Sequence, residues 1–214
     1  PVSKSVTTQN MFYNCRNLTT VFVGEGWTYD SINTASSTTM FQNCTSIKGA
    51  NGVGYSTAAA TNATIELYLS VKYKSNTAYW SLDGNGHLEL EPVVDGEVGY
   101  LASFGSSDTA EPHWKNFKNN VVSFSVKENT TVGMELNGST AQMFNGFSNM
   151  TSCDLRNFDN SNSTNLINFF KDCRALSDLK LGNFATGRAT KTQSMFENCI
   201  ALEELDLRSF DTTK

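Results

Sequence analysis

The sequence predicts a repeat solenoid of short strands and helical turns, together with a β-rich segment that does not repeat. Three observations lead to this prediction. Apolar residues recur every 26 residues near the end of the chain. Each repeat has one apolar side, which becomes buried only when units stack on one another. The middle of the chain lacks this period and instead alternates apolar with polar residues, as half-buried strands do.

Residues 140–214 contain three units of 26 residues that align without a gap. Six apolar columns stay in phase through them, which chance does not explain. The columns are Phe144, Phe170 and Phe196; Phe147, Cys173 and Cys199; Met150, Leu176 and Leu202; Cys153, Leu179 and Leu205; Leu155, Leu181 and Leu207; and Phe158, Phe184 and Phe210.

The spacing within a unit predicts its local structure. Leu205 and Leu207 are two residues apart, so they point to one face of a short strand. Phe196 and Cys199 are three apart, which suits one turn of α- or 3-10 helix. Each unit is therefore predicted to be a helical turn, a bend, a strand and a return loop.

Residues 1–64 contain two further copies and a glycine-rich end. "MFYNC" at 11–15 and "MFQNC" at 40–44 repeat the start of the unit, and the second copy then breaks into "GANGVGY". We interpret that break as a terminal repeat, which closes an array.

Residues 65–139 are predicted to form strands outside the period. "IELYLSVKY" and "NNVVSFSVKEN" alternate, and Asp83–Gly86 separates two alternating runs as a hairpin turn does. Trp80 and Trp114 are expected to anchor the packing of this segment.

The pattern MFxxCxxLxxLDLxxFD resembles the BspA-type leucine-rich repeats of bacterial surface proteins, over roughly residues 9–60 and 140–214. The resemblance implies a leucine-rich-repeat solenoid at the cell surface or secreted, with a role in adhesion or protein binding. Phe147 and Cys153 depart from the pattern, and "NFFKDC" lacks its Met.

In that family the β-rich segment leads and the glycine-rich segment closes the array, whereas here the closing segment comes first. Either the chain is a window from tandem arrays, or its order reflects permutation, swapping or numbering. We predict that Phe12, Cys15 and Leu18 stack on the unit of Phe196, Cys199 and Leu202, within one molecule or between neighbours.

Charge and hydropathy restrict the function. A net charge of −5 and a pI near 5.0 argue against nucleic-acid binding, which needs clustered Lys and Arg. No apolar run approaches the roughly 20 residues of a membrane span. No leader is visible, so the chain is expected to be a mature or excised part of a surface or secreted protein.

The cysteines do not have the spacing of zinc ligands, because the closest pair, Cys153 and Cys173, is 20 residues apart. A disulfide between stacked units is an alternative, but Phe147 replaces Cys in one unit, which favours a small buried hydrophobe. His87 and His113, the two histidines, are expected to be hairpin or surface residues. We therefore expect no catalytic residues, metal or cofactor.

The remaining candidate is the outward face of the repeat strands, because repeat proteins use such faces to bind partners. The expected partners are proteins or glycans of a host or neighbouring cell. A structural spacer is the main alternative, and a glycan-acting enzyme is a third. The candidate contact residues are Ser152, Asp154, Arg156, Asp178, Lys180, Glu204, Asp206 and Arg208.

Overall fold

The computed structural model describes residues 9–23, 39–48, 69–104, 108, 111–136, 138–211 and 213. The chain divides into two compact units, one of Pro1–Tyr73 with Ser81–Gly86, the other of Lys74–Trp80 with His87–Lys214. The three segments predicted from the sequence remain a prediction. The strands are β1 (Val21–Val23), β2 (Leu69–Ser75), β3 (Ala78–Leu82), β4 (His87–Pro92), β5 (Val98–Leu101), β6 (Ser123–Val126), β7 (Thr131–Met134), β8 (Ser152–Asp154), β9 (Phe158–Asp159) and β10 (Asp178–Lys180).

The predicted fold class, a leucine-rich-repeat solenoid with helical or 3-10 turns, is wrong. The described residues are β-rich and form two sheets, one of seven strands and one of three. Among them the only helix is a 3-10 turn at Lys115–Phe117, which lies outside the three repeats. The repeats are therefore built from strands and non-helical turns.

Left-handed backbone conformations explain the missing helices. Ser194 lies just before the predicted helical turn and Asn198 lies within it, and their φ angles are 55° and 63°. A right-handed helix cannot include such residues, and Asn accepts this conformation more readily than most residues. The chain closes tight turns instead, and Cys199 N–H donates to the Phe196 carbonyl oxygen over 3.2 Å.

The same turns occur in all three repeats of the second unit. Left-handed residues recur at Gln142, Asn168 and Ser194, and again at Gly146, Asp172 and Asn198. We call residues 139–150, 165–176 and 191–202 the turn segments of this unit, and the last of them the last turn segment.

Four strands of the seven-stranded sheet belong to the second unit and lie side by side in the order β4, β6, β8 and β10. All three pairings are parallel. Ser152 is in register with Asp178 and Asp154 with Lys180, so residues 26 positions apart are neighbours in the sheet. The second sheet, β5, β7 and β9, is also parallel.

Aromatic side chains fill the core of the second unit. The Phe144 and Phe170 rings stack with centroids 5.5 Å apart, and Phe170 stacks on Phe196 at 5.6 Å. Trp114 is fully buried and donates its indole N–H to the Met143 carbonyl oxygen over 3.3 Å. Trp80 packs against Trp114 at 5.9 Å, so the predicted role of both tryptophans in packing is confirmed.

Packing also accounts for most of the cysteines. Cys44, Cys153 and Cys173 are buried, Cys199 is half-buried and Cys15 is exposed. None of these five cysteines is in a disulfide. Burial raises the pKa of the Cys153 and Cys173 thiols, because an ionised thiolate would lose its hydration. The interpretation of this column as small buried hydrophobes is confirmed for Cys44 and Cys173.

The first unit contains two further turn segments, residues 9–19 and 39–48, which we call the first and second turn segments. They pack on each other, and the Phe12 and Phe41 rings stack at 5.1 Å. β1 pairs with β2 in parallel. The predicted hairpin turn is present, since Gly86 N–H donates to the Asp83 carbonyl oxygen over 3.1 Å. The glycine-rich segment 49–64 lies outside the described residues.

Candidate binding surface

The outward side chains of β4, β6, β8 and β10 form two rows across the sheet, which we call the strand face. The parallel register aligns His87, Ser123, Ser152 and Asp178 in the first row. It aligns Glu89, Ser125, Asp154 and Lys180 in the second. Polar and charged groups therefore lie side by side over four strands.

Strand alternation fixes which side chains point outward. Leu88, Phe124 and Cys153, which separate the two rows, are at most 2% exposed. Because neighbouring residues of a strand point to opposite faces, the rows point away from this core. The strand face is thus the polar side of a sheet whose other side is packed with apolar residues.

Asp154 of the strand face forms an ion pair with Arg156, which follows β8. Arg156 donates from Nη2 to Asp154 Oδ2 over 2.6 Å and from Nε to Oδ1 over 3.0 Å. These hydrogen bonds, with the backbone N–H of Arg156 at 3.1 Å, lower the pKa of the Asp154 carboxyl. The two residues are two positions apart along the chain, and the arginine side chain is exposed to solvent.

Gly182 makes room for this arginine. A Cβ atom at Gly182 would lie 2.9 Å from Arg156 Cα and 3.2 Å from its Cγ. The backbone of Gly182 is also left-handed, with φ of 61°. Both features favour glycine at this position.

Asp206 and Arg208 repeat the geometry two units later, with Nη2 to Oδ2 at 2.6 Å and Nε to Oδ1 at 2.9 Å. The side-chain hydrogen bond from Arg208 lowers the pKa of Asp206 to about 2. The predicted strand around Leu205 is not formed, since residues 202–207 are not assigned to a strand. The leucine that should point inward from this strand is poorly buried, because Leu207 is 42% exposed whereas Leu181 in the same column is 4% exposed.

The other predicted contact residues lie nearby and are solvent-accessible. Asp178 and Lys180 are exposed and pair at 3.2 Å. Ser152 is half-buried within its row, and Glu204 is exposed in the stretch that lacks a strand. The structure thus brings Ser152, Asp154, Asp178 and Lys180 together in register, whereas Glu204, Asp206 and Arg208 follow outside the assigned strands.

Sequence analysis missed the part of the strand face on β4 and β6. His87 Nδ1 lies 2.7 Å from Ser123 Oγ, and its Nε2 lies 3.1 Å from Ser125 Oγ. Lys127 donates to Glu91 Oε2 over 3.1 Å, and this hydrogen bond raises the pKa of the lysine. The alternation in "HLELEP" and "SFSV" was the available signal for these residues.

These groups are suited to hydrogen bonding and ion pairing with a partner. Within the described ranges, no three His, Cys, Asp or Glu side chains converge as metal ligands would. In the same part of the chain, no helix is long and apolar enough to cross a membrane.

Comparison with known proteins gives one match. Residues 138–214, which contain β8, β9 and β10, match the family described as "Mycoplasma protein of unknown function, DUF285". Neither the curated proteins nor the solved structures gave a match. The last part of this chain is therefore similar to that family, and the finer resemblance to BspA-type repeats rests on the sequence pattern alone.

Proposed function

We propose that the chain is a non-enzymatic module of a bacterial cell-surface or secreted protein that binds other macromolecules through its strand face. The observation that carries this proposal is the alignment of outward polar and charged residues in register over β4, β6, β8 and β10. The BspA-type sequence pattern supports the surface location and the adhesive role. The partners would be host or neighbouring-cell proteins or glycans.

The charges of the strand face and of the adjoining Arg156 and Asp206–Arg208 pair indicate what kind of partner this surface suits. Opposite charges sit two residues apart in Asp154–Arg156, Asp178–Lys180 and Asp206–Arg208. Such a surface has no strong excess of either charge, so a highly charged polymer would gain little from it. It fits a polar partner of mixed charge that offers both donors and acceptors.

Binding would consist of many weak contacts on a rigid surface. The buried side of the sheet holds the backbone of each row, so the outward groups keep their spacing when a partner arrives. Exposed ion pairs contribute little individually. Repetition of the module along a chain, or of the chain over a cell, would raise the effective affinity without new contacts.

A structural spacer is the second candidate, and the same ion pairs favour it. Arg156 and Arg208 already have carboxylate partners within their own segments, as an ordinary solvated face would. The two candidates differ in whether a partner displaces or shares those pairs.

The test is binding of the chain to an array of host matrix proteins and glycans, with Arg156→Glu and Arg208→Glu as face variants. Arg174→Glu is the matched control, because Arg174 pairs with Asp172 in a turn segment rather than on a strand. The proposal expects capture of at least one array member, weakened by the face variants and unchanged by the control. Absence of capture supports the spacer, and capture that the face variants leave unchanged contradicts the strand-face site.

A further inference from the structure

Two turn segments at opposite ends of the described chain have matching sequences and matching backbones. The first turn segment contains "MFYNC" (11–15) and the last turn segment "MFENC" (195–199). Asn10 and Asn14 have φ angles of 57° and 64°, and Ser194 and Asn198 have 55° and 63°. The two segments therefore present the same backbone groups in the same arrangement.

Within each unit, neighbouring turn segments dock by one set of hydrogen bonds. The earlier segment donates backbone N–H groups to the later one, from Phe170 to Met195 O over 2.8 Å and from Phe12 to Met40 O over 2.9 Å. The later segment donates one hydrogen bond in the opposite direction, from its cysteine thiol. In the first unit, Cys44 Sγ donates to the Phe12 carbonyl oxygen over 2.8 Å.

The same hydrogen bond from a thiol of the later segment to a carbonyl oxygen of the earlier one occurs in the second unit. Cys199 Sγ donates to the Phe170 carbonyl oxygen over 3.1 Å. Asn198 Nδ2 donates to Asp172 Oδ1 over 2.9 Å, and its counterpart in the first unit is Asn43 Nδ2 donating to Asn14 Oδ1 over 2.8 Å. Neighbouring turn segments are thus joined by the same set of hydrogen bonds in both units.

Burial shows that each end segment is packed on one side only. Met11 is 51% exposed, whereas its counterparts Met40 and Met195 are 1% and 5% exposed. Phe196 is half-buried, whereas Phe144 and Phe170 in the same column are fully buried.

The two open sides are complementary. The first turn segment is covered by the segment that follows it, so it presents its thiol side, with Cys15 exposed. The last turn segment is covered by the segment that precedes it, so it presents its N–H side and the half-exposed ring of Phe196. A site of about 430 Å³ lies there, and its lining includes Met195, Phe196 and Phe210.

We propose that the last turn segment of one molecule binds the first turn segment of a second copy, head to tail. Phe12 of the second copy stacks on Phe196, and its Cys15 thiol donates to the Phe196 carbonyl oxygen. Asn14 Nδ2 of the second copy donates to Asn198 Oδ1, and Phe196 N–H donates to its Met11 carbonyl oxygen. Each contact repeats one that the chain already makes between neighbouring turn segments, so the second copy continues an existing interface.

The two surfaces differ, so the interface is heterologous and does not close a symmetric dimer. This assembly does not involve the strand face, and it stands or fails independently of the proposed binding function.

The test uses the full chain with Met11→Asp and Phe196→Asp, which each place a carboxylate in one of the two surfaces. Tyr13→Asp and Ile200→Asp are matched controls, because both residues are exposed, 44% and 78%, in columns that hold polar residues in other segments. Sedimentation equilibrium of the wild-type chain is expected to give a mass that rises with concentration beyond the dimer. Met11→Asp and Phe196→Asp are expected to be monomeric, and the controls to behave as the wild type.

Mixing the two monomeric variants tests the direction of assembly. Phe196→Asp keeps the first turn segment and Met11→Asp keeps the last, so an equimolar mixture is expected to form a one-to-one dimer and nothing larger. A monomeric wild type, a monomeric mixture, or equal losses in the controls would overturn the proposal. If Phe196→Asp does not fold, Thr192→Asp, at an exposed position in the lining of the same site, takes its place in the mixture.

Discussion

The Cys173 thiol donates a hydrogen bond to the Phe144 carbonyl oxygen over 3.0 Å, inside the core of the second unit. The same bond joins Cys199 to Phe170 and Cys44 to Phe12. A small, weakly donating side chain thus fills the gap between neighbouring turn segments. It gives the carbonyl oxygen of the other segment a second hydrogen bond, beside the one that this oxygen accepts within its own turn. Cysteine in this column has a packing role with a directed hydrogen bond.

Replacement of Cys173 by Ala is expected to lower the free energy of unfolding by about 1–2 kcal/mol, because it leaves a small cavity and removes the thiol hydrogen bond to the Phe144 carbonyl oxygen. The measurement is urea denaturation followed by circular dichroism. Cys199→Ala is the matched control and is expected to cost less, since Cys199 is only half-buried. Equal losses at the two positions would contradict this account.

Alkylation of the native protein with a maleimide at neutral pH, at a concentration low enough to keep it monomeric, is expected to modify Cys15 first. Cys15 is exposed, whereas Cys153 and Cys173 are buried and burial raises the pKa of both thiols. Peptide mass spectrometry over a time course measures the order. Early labelling of Cys173 in the folded protein would show that its turn segment is open to solvent.

Replacement of Arg208 by Gln is expected to raise the pKa of Asp206 from about 2 towards its ordinary value of 3.8. Because folding lowers this pKa, the pair stabilises the protein above pH 4, and that contribution is lost as pH falls from about 4 towards 2. The contribution is small, since Arg208 and Asp206 are 91% and 58% exposed. Carboxyl carbon shifts in an NMR titration report it, and an unchanged Asp206 titration in the variant would disprove the pairing.

Gly182→Ala is expected to destabilise the protein by about 1–3 kcal/mol, because the new Cβ meets Arg156 and the backbone is left-handed. Gly96→Ala is the matched control, since Gly96 has φ of 85° but no atom within 4 Å of the added Cβ. The difference in melting temperature between the two variants measures the close approach to Arg156. If both variants melt alike, the contact with Arg156 has no cost.

The sequence predicted the strand register of the repeats but not the form of their turns. A spacing of 26 residues places Asp154 beside Lys180, and the paired strands confirm this alignment. The three-residue spacing of Phe196 and Cys199 fits a helical turn and a tight turn equally well. The left-handed backbone of Ser194 and Asn198 excludes the helix, and only the asparagine hints at it in the sequence.

The sequence predicted only the part of the strand face that lies within the 26-residue repeats. Repeat alignment finds Asp154 and Lys180 because they share a period, and it ends where the period ends. His87 and Ser123 join the same row through strand pairing between segments of unrelated sequence. Pairing of this kind depends on the tertiary fold, so no local pattern identifies the partner strand.

The most direct test of the strand-face proposal is a charge swap, Asp154→Arg combined with Arg156→Asp. The swap keeps the net charge and leaves opposite charges two residues apart, but it inverts their order on the face. Glu111→Lys with Lys115→Glu is the matched control, because it inverts an exposed pair away from the four strands. The measurement is the dissociation constant for the partner captured in the array, by biolayer interferometry. We expect at least a tenfold weaker affinity for the Asp154/Arg156 swap and no change for the control, whereas equal affinity of both swaps and the wild type would contradict binding through the strand face.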